Sequence, residues 1–196
     1  MKSRPSLVVI GGPNGSGKST TAPALLRDTL AVSEFVNADQ IATGLSGFNP
    51  DSAAFAAGRA LLRRLHELAK RRVDFAFEST LASRSFAPFI AAAKSEGYRV
   101  HLVYLWLSSP GLAIARVARR VREGGHSVPK EIVTRRYGRG LANFFRLYQP
   151  LADTWRFYDN SGEFAPRLIA TGVRRRASKV HDRKLWASIR MTVDEA

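Results

Sequence analysis

Apolar residues fall along this chain in two alternating rhythms. Short runs rich in β-branched and aromatic residues, at Ser6–Ile10, Phe35-Val36, Asp74–Phe77, Arg99–Leu107 and Trp155–Asp159, read as strands. Longer segments between them carry apolar residues at helical spacing. They predict helices over Lys18–Leu30, Ser52–Arg72, Phe86–Glu96, Gly111–Arg122 and Lys130–Tyr148. In the second helix Phe55, Leu61, Leu62, Leu65 and Leu68 form the expected buried stripe, with Asp51 or Ser52 as its cap. The last helix is expected to be capped near Val128-Pro129. Val100, Leu102, Val103, Leu105 and Leu107 make one run nearly continuous, as in a strand buried on both faces of a parallel sheet. Leu168–Gly172 reads as a short sixth strand and Asp182–Arg190 as a terminal helix. Strands alternating with helices predict an α/β fold, with a parallel sheet of about five strands sandwiched by helices.

The first strand runs into Gly12-Pro13-Asn14-Gly15-Ser16-Gly17-Lys18-Ser19, a complete G-x-x-x-x-G-K-[ST] sequence with a strand before it and a helix after it. This predicts a P-loop NTPase fold. The glycines let backbone N–H groups turn inward around a β-phosphate, and the helix N-terminus adds partial positive charge. Lys18 is expected to reach the β- and γ-phosphates, and the Ser19 hydroxyl to ligate Mg²⁺, with Thr20 completing the nucleotide-binding set.

Two carboxylates stand at strand ends, where open α/β sheets bind ligands. Asp39 follows Phe35-Val36 and has two functional readings: a base for an acceptor hydroxyl, or a holder of Mg²⁺ through water. An N-cap for the segment from Gln40 onward is the structural alternative. Glu78 ends Phe75-Ala76-Phe77 and is expected to order the metal's water shell or the acceptor. Ser79 and Thr80 offer hydroxyls to a substrate, although Thr80 equally suits a helix cap. The histidines and carboxylates show no metal-ligand spacing.

Arg116, Arg119, Arg120 and Arg122 precede Gly124-Gly125-His126, and Arg135, Arg136 and Arg139 follow it. Guanidinium forks bind phosphoryl oxygens in pairs, and glycines between two helices permit a closing lid over about residues 112–145. A solvated basic helix face accounts for part of this set. Arg120 and Arg136 are the first choices for contact with a transferring phosphoryl group. Arg135 is the third, because neighbours on a helix point about 100° apart. His126 suits a hinge or cap, and Asn160-Ser161 after the fifth strand suits a contact to adenine.

The 196 residues fit one domain of ordinary size. There is no cysteine, which excludes disulfides and thiolate metal sites. No apolar stretch reaches membrane-spanning length, and Leu7–Ile10 is too short for a signal peptide, so a soluble cytoplasmic protein is expected. The formal net charge of +15 favours polyanions. Much of the excess lies in the segment around Arg174–Arg190, read as a solvated basic extension over residues 173–196 behind a catalytic domain of residues 1–172. Nucleic acid is a candidate partner through that extension. Trp155 and Trp186, if exposed, offer a dimer contact.

The chain resembles the zeta-toxin family of P-loop kinases. The resemblance rests on Gly11 through Thr20, Val36-Asn37-Ala38-Asp39, Phe77-Glu78-Ser79-Thr80-Leu81 and Arg120-Val121-Arg122-Glu123-Gly124-Gly125-His126. It continues through Arg135-Arg136-Tyr137, Asn143 and Asp159-Asn160-Ser161, and so spans roughly residues 7–162, with a particular similarity to the shorter, stand-alone members. It implies ATP and Mg²⁺ as cofactors, Asp39 as base, and Glu78 and Thr80 touching acceptor or metal. It also implies lid arginines clamping the transferred group, and a UDP-amino sugar such as UDP-N-acetylglucosamine as acceptor. An antitoxin enters as a partner class through the family alone. Nucleotide choice also follows the family, since no Asn-Lys-x-Asp guanine motif is present. Three functions compete at this point: a kinase for a small hydroxyl acceptor, a polynucleotide or RNA kinase drawn by the positive charge, and a nucleotide-binding switch without turnover.

Overall fold

The computed structural model describes residues 4–23, 32, 34–46, 50–125 and 127–194. Its strands are β1 (Ser6–Gly11), β2 (Glu34–Val36), β3 (Phe75–Ser79), β4 (Arg99–Trp106), β5 (Thr154–Asp159), β6 (Arg167–Val173) and β7 (Arg176–Val180). Its helices are α1, described over residues 18–23, then α2 (Ala38–Leu45), α3 (Pro50–Arg71), α4 (Phe86–Ser95) and α5 (Pro110–Arg122). They continue with α6 (Lys130–Asn143), α7 (Gln149–Leu151) and α8 (Arg183–Asp194). The extension of α1 to Leu30, the side chains of Asp51, Ser52 and Phe55, and His126 lie outside the described residues.

One sheet holds the strands in the order β2-β3-β1-β4-β5-β6-β7. The five from β2 to β5 are parallel, and β6 and β7 return antiparallel. The chain crosses β1 when it passes from β3 to β4, so the carboxyl ends of β1 and β3 meet where the strand order changes direction, the usual ligand crevice of such sheets. Leu7, Val9, Phe75 and Phe77 bury one face under Leu61, Leu65 and Leu68 of α3 and Phe89 and Ile90 of α4. The other face packs Val8, Ile10 and Ala76 against Ala22 of α1 and Val32. This two-sided burial is why β1 and β3 read as unbroken apolar runs.

The C-terminal region corrects the sequence reading. Residues 173–194 are no solvated extension, and no boundary falls at Gly172. A Cβ on Gly172 would lie 2.3 Å from the Trp155 indole and 2.1 Å from the Arg176 carbonyl oxygen, so β6 passes directly over that ring. Trp155 is buried, and its Nε1 donates to the Arg174 carbonyl at 2.7 Å. Trp186 of α8 stacks on it with ring centres 5.6 Å apart. Trp155 is therefore not exposed for a dimer contact, and Trp186 is half-buried against it. Ile189 and Val193 complete the buried face of α8, while Arg183 and Lys184 are exposed and Arg190 lies over the Phe145 ring, 4.7 Å from its centre. β7 was not legible as a strand because Arg176, Ala177, Ser178 and Lys179 are all exposed on a sheet edge, where charges discourage edge-to-edge pairing.

Two more elements differ from expectation. The short helix α2 follows β2 directly, with Asn37 as its N-cap. The helix expected over Lys130–Tyr148 changes hydrogen-bonding pattern at Phe144 and ends in a π turn, Phe144–Tyr148. Pro129 stands at its N-cap without a side-chain bond.

Candidate active site

Gly12 leaves β1 with φ +148°, and a Cβ there would lie 2.4 Å from the Leu105 carbonyl oxygen. Only glycine lets the loop start this close to β4. The loop then folds over Lys18, which is only 9% exposed and donates from Nζ to the carbonyls of Gly12 at 2.9 Å and Pro13 at 3.0 Å. Burial pushes the Lys18 pKa down, against the pull of Glu78 and Asp39. The Ser16 hydroxyl is fully buried and has no hydrogen-bond partner among the described residues. A buried ammonium held by carbonyls and an orphaned hydroxyl in a glycine-bearing loop fit a bound phosphate.

Ser19 opens α1 and donates from Oγ to Glu78 Oε2 at 2.9 Å. Glu78 ends β3 beside β1, is 8% exposed, and has its pKa raised by burial while Lys18 and the Ser19 hydrogen bond oppose the shift. Asn37 joins the same group. Its Nδ2 donates to Ser19 Oγ at 3.3 Å, and its Oδ1 accepts from the backbone N–H groups of Asp39 and Gln40. One amide therefore caps α2 and fixes the Ser19 hydroxyl. Ser19 and Glu78 are the groups that would hold Mg²⁺, an oxygen-seeking ion that keeps several waters. Among the described residues no three His, Asp or Glu side chains gather as a protein-only metal cage, so the donor set fits an ion shared with phosphate.

Asp39 sits in the first turn of α2. Its carboxylate is 54% exposed and lies 4.0 Å from Arg120 Nη1. The structural alternative for Asp39 is thereby resolved, because Asn37 is the cap. Two cavities meet here. A cleft of about 730 Å³ runs along the glycine loop, Ser19 and Thr20, past Arg116, Arg119 and Arg120, to Asn160 and the segment 162–166. A recess of about 200 Å³ lies behind it, between α2, α3, the end of β3, Phe86 and Arg136. Asn14, Lys18, Asp39 and Glu78 line both.

The lid arginines separate by position. Arg120 and Arg136 reach the junction from different helices. Arg136 donates to Asn14 Oδ1 at 3.5 Å, and burial depresses its pKa while Asp39 opposes the shift. Arg119 lines the cleft wall. Arg135, the next residue on α6, is exposed and lines neither cavity. Arg122 and Arg139 are exposed likewise. Arg116 plays a different part, since its guanidinium donates to the carbonyls of Asn160 at 2.6 Å, Ser161 at 3.1 Å and Gly162 at 2.9 Å. Asn160 Nδ2 in turn donates to the Ser16 carbonyl at 2.8 Å. Arg116 thus ties α5 to the loop after β5, and Asn160 ties that loop to the phosphate loop. Thr80 lines the recess, and its Oγ1 accepts from the Ala82 N–H within a turn at 3.4 Å.

Sequence reasoning left out Asn37 as a site residue and gave Arg116 no structural role. The cap signal at Asn37, a short amide before an acidic first turn, was available. The carbonyl targets of Arg116 lie 44–46 residues further along the chain, and no local pattern announces them.

A glycine loop at the end of β1, two strand-end carboxylates and a helical lid, all on a parallel sheet, define a P-loop kinase-like domain. The family profile described as an AAA domain, AAA_33, matches residues 7–147, and the chain belongs to that family. An uncharacterized protein of Haemophilus influenzae is 36% identical over 126 residues, 64% of this chain and 88% of its own length. Among solved structures, AvrRxo1-ORF1, crystallised with AvrRxo1-ORF2 and sulphate ions, matches at a TM-score of 0.75 with 16% identity over 95% of this chain. This chain spans 63% of that one, which was also crystallised with ATP. A structure from the PezAT chromosomal toxin-antitoxin system of Streptococcus pneumoniae matches at 0.67 with 13% identity, covering 98% of this chain and 87% of that one. At these identities the likeness concerns the fold. No helix among the described residues is long and apolar enough to cross a membrane.

Proposed function

We propose that this protein is an ATP-dependent phosphotransferase that moves the γ-phosphate to a hydroxyl of a small acceptor. The observation that carries the reading is the position of Asp39, at the junction of the two cavities and beside the buried Lys18. The cleft takes the nucleotide, with Lys18 and the loop N–H groups on its terminal phosphates. Ser19 and Glu78 would hold Mg²⁺, which neutralises charge on the phosphates when bound.

An acceptor hydroxyl in the recess attacks the γ-phosphorus. The new oxygen–phosphorus bond forms as the bond to the β,γ-bridging oxygen breaks, and ADP leaves with that electron pair. The hydroxyl proton passes to the Asp39 carboxylate. Arg120 and Arg136 approach the reacting phosphoryl group from two helices, and closure of α5 and α6 excludes water. That exclusion favours the acceptor over hydrolysis. The UDP-amino sugar implied by the family resemblance is one acceptor to assay within this reading.

The decisive experiment is Asp39→Asn. It should bind Mg-ATP with near-parental affinity and lose transfer by about 10² or more. Transfer at the parental rate would remove Asp39 as base and sink the mechanism.

A further inference from the structure

The recess is small and two-natured. At about 200 Å³ it falls below the roughly 300–1,000 Å³ that drug-sized ligands occupy. Ala42, Ala57 and Leu61 form an apolar wall, all nearly sealed from solvent, with Phe86 beside them. Opposite stand Asp39, Glu78 and the hydroxyls of Ser79 and Thr80.

The charge distribution is as informative as the size. Lys18 and Arg136 are the cations lining the recess, against the carboxylates of Asp39 and Glu78. Lys18 is committed to the nucleotide by its place in the loop, and a divalent cation at Ser19 is matched by the nucleotide's own phosphates. Arg136 donates to Asn14 Oδ1 at 3.5 Å and, in the kinase reading, faces the transferring phosphoryl group. Among the described residues lining the recess, no cation is left over for a phosphate on the acceptor. Of the α5 arginines, Arg116, Arg119 and Arg120 line the nucleotide cleft, and Arg120 is held at the junction by Asp39, 4.0 Å away.

Resting on the kinase reading, we propose that the acceptor is a small, phosphate-free alcohol, neutral or cationic, with an apolar face that lies on Ala42, Ala57 and Leu61. A nucleotide-linked sugar suits this recess less well on both counts: its diphosphate meets two carboxylates, and its nucleoside extends beyond the recess. The hydroxyl to be phosphorylated points to Asp39, and the remaining hydroxyls or an amine meet Glu78, Ser79 and Thr80. Phosphoryl transfer itself proceeds as above, the proton leaving to Asp39 and ADP departing.

Matched series isolate the variable: glycerol, glycerol 3-phosphate and CDP-glycerol; N-acetylglucosamine, its 1-phosphate and its UDP derivative; inositol and inositol 1-phosphate. Full-length protein is assayed with ATP by mass spectrometry for transfer. Binding of the same compounds is measured by calorimetry with a non-hydrolysable ATP analogue bound. A free alcohol is expected to bind and react at least about tenfold better than its phosphorylated or nucleotide-linked partner. Ala57→Phe should remove acceptor binding while leaving affinity for the ATP analogue intact. Should that variant not fold, Leu61→Ala should widen the range of alcohols accepted. Preference for any phosphorylated or nucleotide-linked member overturns the proposal. So does the absence of binding by every free alcohol, or acceptor binding unchanged in both recess variants. Binding of free alcohols without transfer to any of them would instead count against the kinase reading and leave the recess assignment standing.

Discussion

Two regions of the sheet are organised on opposite principles. At the carboxyl ends of β1 and β3, polar groups are buried against one another: Lys18, Asn14, Asn37 and Glu78 are each no more than 9% exposed. Beyond β4, the region around Trp155 is closed by rings: Phe144, Phe145, Phe157, Trp155 and Trp186 pack edge-on, tilted or stacked with centres 4.9–6.1 Å apart. The first region holds desolvated charge, and burial shifts Lys18 and Glu78 toward their neutral forms. The second is built mainly of rings and gains stability from area and dispersion. Substitutions should therefore separate: in the first region activity falls while stability holds or rises, and in the second the reverse.

The largest effect belongs to the aromatic region. Trp155→Ala should cost about 3–5 kcal/mol of unfolding free energy, read by chemical denaturation, with the folded fraction still binding nucleotide. Removing residues 174–194 should have the same signature, because it strips Trp186 from that ring and the Arg174 carbonyl from its N–H. A truncated chain as stable as the parent would dissolve the contrast.

Next is Lys18→Ala, which should reduce transfer by at least about 10² and weaken Mg-ATP binding in calorimetry without lowering the melting temperature of the free protein. Undiminished binding of Mg-nucleotide would mean that the loop does not wrap phosphates.

Glu78→Gln sharpens the comparison through pH. Burial raises the folded-state pKa of Glu78 above its ordinary 4.5. The fold therefore binds that proton more tightly than the unfolded chain does. The corresponding stability is fully present below pH 4.5 and is lost as pH rises through the folded value. The glutamine variant lacks this loss. In melts of the ligand-free protein its advantage should grow as pH rises from 4.5 through the folded value, while its Mg²⁺-dependent transfer falls. A constant offset across pH would remove Glu78 as the titrating group.

The smallest effect is expected at Arg135. Arg135→Ala should change stability by no more than about 0.5 kcal/mol and leave transfer near parental, whereas Arg136→Ala should reduce transfer about tenfold or more. Equal effects would mean that α6 presents a different face to the substrate.

The sequence carried the phosphate loop, the strand-end acids and most of the sheet because each is a local pattern. Gly12 through Ser19 needs only its own spacing, and the parallel strands need only their apolar runs. It carried the two arginine-bearing helices but not their division of labour, since Arg116 finds its carbonyl partners more than 40 residues away. It misjudged residues 173–194 because charge there outweighs the few apolar positions. Trp186, Ile189 and Val193 mark a buried stripe only once Trp155 is known to wait beneath them. Asp39 was legible by strand-end position, but Asn37, two residues earlier, holds the Ser19 hydroxyl by tertiary proximity rather than by spacing.

The antiparallel return of β6 and β7 also sets a timetable for synthesis. Trp155 and Phe157 lie on β5, yet the indole that covers them belongs to residue 186. A nascent chain that has emerged only through β5 leaves an aromatic surface uncovered. Burial of these rings is therefore complete only once translation has passed α8, and during that interval holdase chaperones would have their strongest claim on this protein.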